Sequence, residues 1–182
     1  MKFIKTDIDD LTIIKPQIFY DQRGWFFESY NRKDFTENGI SNEFKQDNHS
    51  KSMNSGILRG MHLQLEPYGQ AKLIRCTKGK IFDVCIDLRK KSPTYLKKFE
   101  IELSEENQTM LYIPKGFAHG FLVLVDNTEV LYKVDNFYHK DFDRSIRYDD
   151  PDLNISWPKL NIIVSDKDKN APLYKDSDVV FE

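Results

Sequence analysis

A chain of 182 residues, 40% hydrophobic and 31% charged, carries enough apolar material for one packed core, and disorder is not the expected state. Its 27 basic and 29 acidic residues leave a net charge of −2, so no global field draws it to nucleic acid or an anionic membrane, and any anion site must be local. The opening MKFIKTDIDD places Asp7, Asp9 and Asp10 where a secretory leader needs its apolar run, and no later stretch has about 18 uncharged apolar residues, which predicts a cytoplasmic protein with no membrane span. One domain covering residues 1–182 is expected.

In chain order, Asp21-Gln22-Arg23-Gly24 reads as a turn entering the aromatic strand Trp25-Phe26-Phe27-Glu28. Arg23 is then either an exposed turn arginine or a phosphate ligand. A short peripheral helix is predicted at Arg32 to Glu37, with Asn31 as its cap. Strand signals follow at Lys72 to Cys76, Lys80 to Asp87, Lys97 to Leu103, Gln108 to Ile113, Gly120 to Val125 and Glu129 to Val134. The separators, such as Thr77-Lys78-Gly79 and Pro114-Lys115-Gly116, are too short for a crossover helix, so parallel βαβ units are disfavoured. The expected class is all-β, a sandwich or barrel-like jelly roll. From Asp149, the turn-rich DDPDLNISWP predicts irregular chain or short helices over one end of the sheets.

Several residues in this frame are capable of chemistry. Strict alternation puts Arg59 and His62 on opposite faces of a strand, but the intervening Gly60 permits a bulge that would re-aim either one. His62 taken alone reads as a structural histidine or as a base. Gln64 stands where an H-x-H metal pair would need its second histidine, and with four histidines in the chain a bound metal is not expected. His119, predicted at the start of a strand after the Pro114–Gly116 turn, is either a satisfied core residue or part of a cavity mouth. Tyr132 shares a face with Val130 and Val134 and is a packing residue or, on other evidence, a proton donor. Ser165-Asp166-Lys167-Asp168 is a solvated turn or a source of orienting carboxylates. Cys76 and Cys85 lie in alternating segments without CxxC spacing and read as buried structural thiols.

Taken together and in order, these segments resemble the dTDP-4-dehydrorhamnose 3,5-epimerase family, the RmlC-like enzymes. The resemblance runs from about Phe19 to Leu173. It is carried by Phe19-x-Asp21-x-Arg23-Gly24-x-Phe26, Gln46-x-Asn48-x-Ser50, Gly56-Ile57-Leu58-Arg59-Gly60-Met61-His62-x-Gln64 and Gln70-Ala71-Lys72-Leu73-Ile74-Arg75. Further on come Tyr112-Ile113-Pro114-x-Gly116-Phe117-Ala118-His119-Gly120-Phe121, Asp149-Asp150-Pro151-Asp152, Trp157-Pro158 and Ser165-x-Lys167-Asp168.

The resemblance implies a cupin-type double-stranded β-helix, or jelly roll, used without metal or cofactor. It also implies a homodimer in which an N-terminal arm of one subunit reaches its partner's site. The substrate implied is a nucleotide-diphosphate 4-keto-6-deoxy sugar, inverted at C3 and C5. His62 would be the base, Asp168 its orienting carboxylate, Lys72 the cation at the enolate oxygen with His119 beside it, and Tyr132 the acid on the opposite sugar face. Arg23 and Arg59 would hold the diphosphate, and Phe19, Phe26, Glu28, Gln46, Asn48 and Tyr138 would line the nucleotide and sugar pocket. One departure is visible: the family often has Tyr after the base, where this chain has Leu63. That leaves open inversion at C3 or C5 alone, or a GDP-linked substrate. A 4-keto sugar isomerase, a metal-dependent cupin and a non-catalytic sugar-nucleotide-binding module are the competing classes.

Overall fold

A computed structural model describes residues 1–182. Two antiparallel sheets dominate it. Strands β1 (Lys2–Lys5), β2 (Thr12–Lys15), β5 (Gln46–Ser52), β7 (Lys72–Lys78), β10 (Met110–Ile113) and β12 (Thr128–Val134) form a six-stranded sheet in the order β1-β2-β10-β7-β12-β5. The second sheet holds β6 (Leu58–Gln64), β8 (Lys80–Asp87), β9 (Lys98–Ser104), β11 (Phe117–Val123) and β13 (Asp143–Ser145) in the order β13-β6-β11-β8-β9. Strands β3 (Phe19–Asp21) and β4 (Gly24–Phe26) make a separate hairpin. The predicted all-β jelly roll is therefore the fold, with two short helices at its periphery.

The sheets bury their facing sides against each other. Ile74, Cys76, Ile81, Cys85, Phe117, Phe121 and Val130 share the interior cluster, and this burial of apolar area is the main force holding the sandwich closed. Strand β8 is covered on its other face too, where Val84, Ile86 and Leu88 meet Leu153, Val179 and Phe181 from the C-terminal segment. The turn-rich tail thus packs over the outer face of the five-stranded sheet, where the sequence reading had it over one end of the sheets. Double burial also explains why β8 carries apolar residues on both faces, Ile81 and Cys85 on one and Val84 and Ile86 on the other. Helix α1 (Arg32–Glu37) begins at Asn31, whose side chain accepts from the N–H groups of Lys33 and Asp34, and it covers one end of the six-stranded sheet through Phe35.

Two features depart from the sequence reading. Strand β11 starts at Phe117 rather than Gly120 and ends at Val123, which places His119 mid-strand instead of at its start. All seven of its residues are buried and pair with β8, so the ladder runs back to the end of the Pro114–Gly116 turn. Strands β1, β2, β3, β5 and β13 lay outside the predicted set. Strand β5, QDNHSKS, has no apolar residue to mark it, because it is the sheet's edge.

Candidate active site

A cavity of about 650 Å³ opens between the sheets and is lined by residues from both. Strand β6 supplies Arg59 and His62 together. The pairing of β6 with β11 shows how: His62 lies opposite His119 but Arg59 lies opposite Phe121, so three residues on β6 span two on β11. This bulge is centred on Gly60, whose φ of +143° suits glycine and whose added Cβ would stand 2.4 Å from the Gly120 Cα. Glycine on both strands lets the backbones approach and turns Arg59 toward the cavity that His62 already faces.

His62 Nε2 lies 2.6 Å from Asp168 Oδ1. Asp168 sits on α2 (Asp166–Lys169), a short helix capped by Ser165, whose hydroxyl accepts from the Asp168 N–H. The carboxylate is buried, which opposes its charge, yet hydrogen bonds with His62, Ser165 and the Gly60 backbone outweigh burial and hold it below the usual Asp range. An ionised carboxylate can only accept, so the Nε2 proton belongs to the imidazole and Nδ1 is left as the basic nitrogen.

The opposite wall comes from the six-stranded sheet. Lys72 on β7 is buried, and its Nζ donates to the His62 carbonyl at 3.3 Å. Burial pushes its ammonium down to about 8, against the attraction of Asp83 and Asp143. Tyr132 on β12 lines the same cavity, and burial raises its phenol above the usual value, with Arg59 pulling the other way. His62 and Tyr132 therefore approach the space between the sheets from opposite walls.

His119 resolves both of its open readings at once: it is buried and it lines the cavity. Its Nε2 bonds Asp83 Oδ2 at 2.9 Å, and burial lowers its basicity, so it stays a neutral ring at neutral pH. Asp83 was not among the residues singled out from sequence. The available signal was a carboxylate standing between Ile81 and Cys85 on one face of the strand, a position that requires a partner. Asp143, Lys167 and Gln70 also line the cavity without having been anticipated. Lys167 donates to Asp143 across the mouth.

Arg59, Gln46, Asn48 and Tyr138 line the cavity as expected. Phe19, Arg23, Phe26 and Glu28 do not line it. Phe19 and Phe26 are 54% and 66% exposed on the β3–β4 hairpin, and Arg23 pairs with Asp21 in solvent. Leu63 is buried in the cluster under the C-terminal segment and touches the cavity. Cys76 and Cys85 are buried free thiols. No group of three or more His, Cys, Asp or Glu side chains is arranged to hold a metal. The Gln64 amide bonds the backbone of Tyr68, Phe137 and His139.

The family model for dTDP-4-dehydrorhamnose 3,5-epimerase matches residues 5–176. The chain belongs to that family. It is 52% identical to the Shigella flexneri dTDP-4-dehydrorhamnose 3,5-epimerase over 98% of each chain. The Methanothermobacter thermautotrophicus enzyme of the same name is 47% identical, over 93% of this chain and 92% of the relative. Among solved structures, RmlC from Legionella pneumophila, bound to dTDP-4-keto-L-rhamnose, superposes with a TM-score of 0.94 at 41% identity, covering 100% of this chain and 98% of that one. The fold is thus the epimerase fold along nearly the whole chain. No helix is long and apolar enough to cross a membrane.

Proposed function

We propose that the protein epimerises dTDP-4-dehydro-6-deoxy-D-glucose at C3 and C5 to dTDP-4-dehydro-L-rhamnose. The observation that carries this reading is the cavity with a carboxylate-pinned imidazole on one wall and a protonated phenol on the other. Inversion beside a ketone needs a base on one face of the sugar and an acid on the opposite face. His62 takes the C–H proton on Nδ1 while the bond electrons move onto the C4 oxygen. Asp168 holds the ring and stabilises the imidazolium that forms. Lys72, with His119 beside it, meets the charge developing on oxygen in a site shielded from water. Tyr132 then delivers its proton to the far face of the carbon, and solvent resets both groups before the second carbon reacts.

Arg59 accounts for part of the diphosphate, since a guanidinium pairs two phosphate oxygens at once. Gln46, Asn48 and Tyr138 line the sugar and nucleotide approach. Arg23, Phe19, Phe26 and Glu28 are assigned to a second subunit's cavity. The exposed Phe19, Tyr20, Trp25 and Phe26 of the β3–β4 hairpin support a homodimer in which this arm crosses to its partner. Two free cysteines agree with a cytoplasmic location. A chain that sediments as a monomer would remove the shared-site assignment.

The deciding experiment is incubation with the dTDP-linked 4-keto sugar in deuterium oxide, followed by NMR location of the label. Deuterium at both C3 and C5 with L-rhamno product is expected. Label at C3 alone would reassign the chain as a mono-epimerase, and label at neither would overturn the enzyme reading.

A further inference from the structure

Asp83 sits on β8 fully buried, behind the residues that line the cavity. A carboxylate in such a place is costly unless its charge is compensated. The bond from His119 Nε2 at 2.9 Å occupies Oδ2 alone, and Oδ1 has no hydrogen-bond partner. Burial keeps the His119 ring neutral, so this bond supplies a proton donor but no positive charge. The charge of Asp83 is answered elsewhere.

The nearby cation is Lys72. Its side chain starts on β7 in the six-stranded sheet and crosses the interior, since Nζ donates to the His62 carbonyl on β6 at 3.3 Å. Burial works against the ammonium, and Asp83 is the strongest of the groups that favour it, ahead of Asp143 and Cys85. Those three are not equivalent. The Asp143 carboxylate is bonded by Lys167 at the cavity mouth, so its charge is already shared with another cation. The Cys85 thiol is held well above its usual range by burial and is uncharged at neutral pH. Elsewhere in the cavity Asp168 is bonded by His62, His119 is neutral and Tyr132 keeps its proton. Of these groups, Asp83 is left as the buried carboxylate whose charge no other side chain takes up.

Its separation from the ammonium matters as much as its sign. No hydrogen bond joins Lys72 Nζ to Asp83, so the carboxylate takes none of the three ammonium N–H groups. One goes to the His62 carbonyl, and the others remain for an oxygen that enters the cavity. In a low-dielectric interior a charge set back from contact still favours its opposite.

We propose that Asp83 is a positioning residue for the reaction, a counter-charge held behind His119 that keeps Lys72 an ammonium where the enolate forms without occupying the donors the enolate oxygen needs. The inference rests on the epimerase reading. With the carboxylate gone, the same burial drives the proton off Lys72 at a lower pH, and a neutral amine meets the oxyanion poorly.

The test is Asp83→Asn, which keeps the shape and an oxygen for His119 but removes the charge, assayed through the pH dependence of kcat/KM on the dTDP-linked 4-keto sugar. The wild-type alkaline limb is expected near pH 8, and in the variant it should move down by about one pH unit or more, a roughly ten-fold loss of proton affinity at Lys72. At pH 8 kcat should fall about ten-fold with KM moved less, because the lost interaction belongs to the transition state. A role in packing alone would lower the rate at every pH and leave the limb in place, and that result would overturn the proposal. Asp83→Asn should also cost less stability in a Lys72→Met background than in the wild type, since the counter-charge then has nothing to serve; an equal cost in both would overturn it. If Asp83→Asn fails to fold by itself, folding restored by Lys72→Met supports the counter-charge, and failure in both backgrounds refutes it. A wild-type protein without deuterium exchange defeats the epimerase reading itself; exchange with an alkaline limb that Asp83→Asn does not move defeats only the role of Asp83.

Discussion

Replacing Lys72 with Met should make the protein more stable and nearly inactive. Lys72 is 9% exposed, and burial takes its ammonium from 10.5 to about 8 even with Asp83 and Asp143 favouring its charge. Each unit of displacement corresponds to about 1.4 kcal/mol, so holding this charge inside the fold costs about 3 kcal/mol relative to water. Methionine has a similar length and no charge to desolvate. For a chain of this size that gain corresponds to a rise in Tm of roughly 6–10 °C at neutral pH. The sign has a pH signature. The folded state loses the Lys72 proton near pH 8 and the unfolded state only near its usual value of 10.5, so the unfolded chain binds more protons in between. The stability of the wild-type protein therefore gains on that of the variant as pH rises through that window, and the difference between them fades by its upper end. Turnover should fall about 10²- to 10³-fold, the loss expected when one preorganised charge is removed from a developing oxyanion. Paired denaturation curves at pH 7 and pH 10 with kcat measurements check both halves. A Lys72→Met variant less stable than wild type at pH 7 would refute the desolvation argument, and one with wild-type turnover would refute the assigned cation.

Other outcomes follow from the same geometry. The wild-type rate should decline on the alkaline side near pH 8, as Lys72 loses the proton that meets the enolate oxygen; a kcat/KM profile flat to pH 10 would contradict this. Tyr132→Phe should retain exchange of the acidic protons into deuterium oxide while inversion drops about 10²-fold or more, because the base remains and the opposite-face acid is gone. Equal loss of exchange and inversion would place Tyr132 outside the reprotonation step. His62→Ala should give a folded protein without exchange at either carbon, checked by circular dichroism and NMR. Gly60→Ala would set a Cβ 2.4 Å from the Gly120 backbone in a positive-φ position. It should destabilise the fold by about 2 kcal/mol or more in denaturant unfolding and misplace His62.

The parts of the fold that were legible are those where burial and local structure agree. Strands β7 to β10 and β12 alternate or run apolar because both sheets press on them, and Asn31 announces α1 by offering a cap before a helical turn. Strand β5 was invisible for the opposite reason: it faces solvent on one side, and on the other it gives Gln46, Asn48 and Ser50 to the cavity. A strand that lines a polar site loses the hydrophobic pattern by which strands are recognised. The functional edge of the sheet is thus the hardest to see.

The candidate site divides in the same way. His62, Asp168, Lys72 and Arg59 were named from ordered motifs and Tyr132 from the family resemblance, but composition and spacing left His62 open between a structural and a chemical role. Alternation even set it against Arg59. That question turns on a backbone event, the Gly60 bulge, and on a contact across 106 positions of chain that brings Asp168 to 2.6 Å. Neither distance nor register is encoded locally. The same holds for Asp83 against His119, for the glutamine side chains that bond the backbone around Tyr138, and for the placement of Arg23 away from the cavity. The sequence by itself determined which residue types were available and that two apolar sheets would close over them, since those follow from hydrophobicity and turn chemistry along the chain. Only the tertiary structure decided which side chains share a wall, because that depends on strand order and on how burial and hydrogen bonding set each group's charge once the sheets have met.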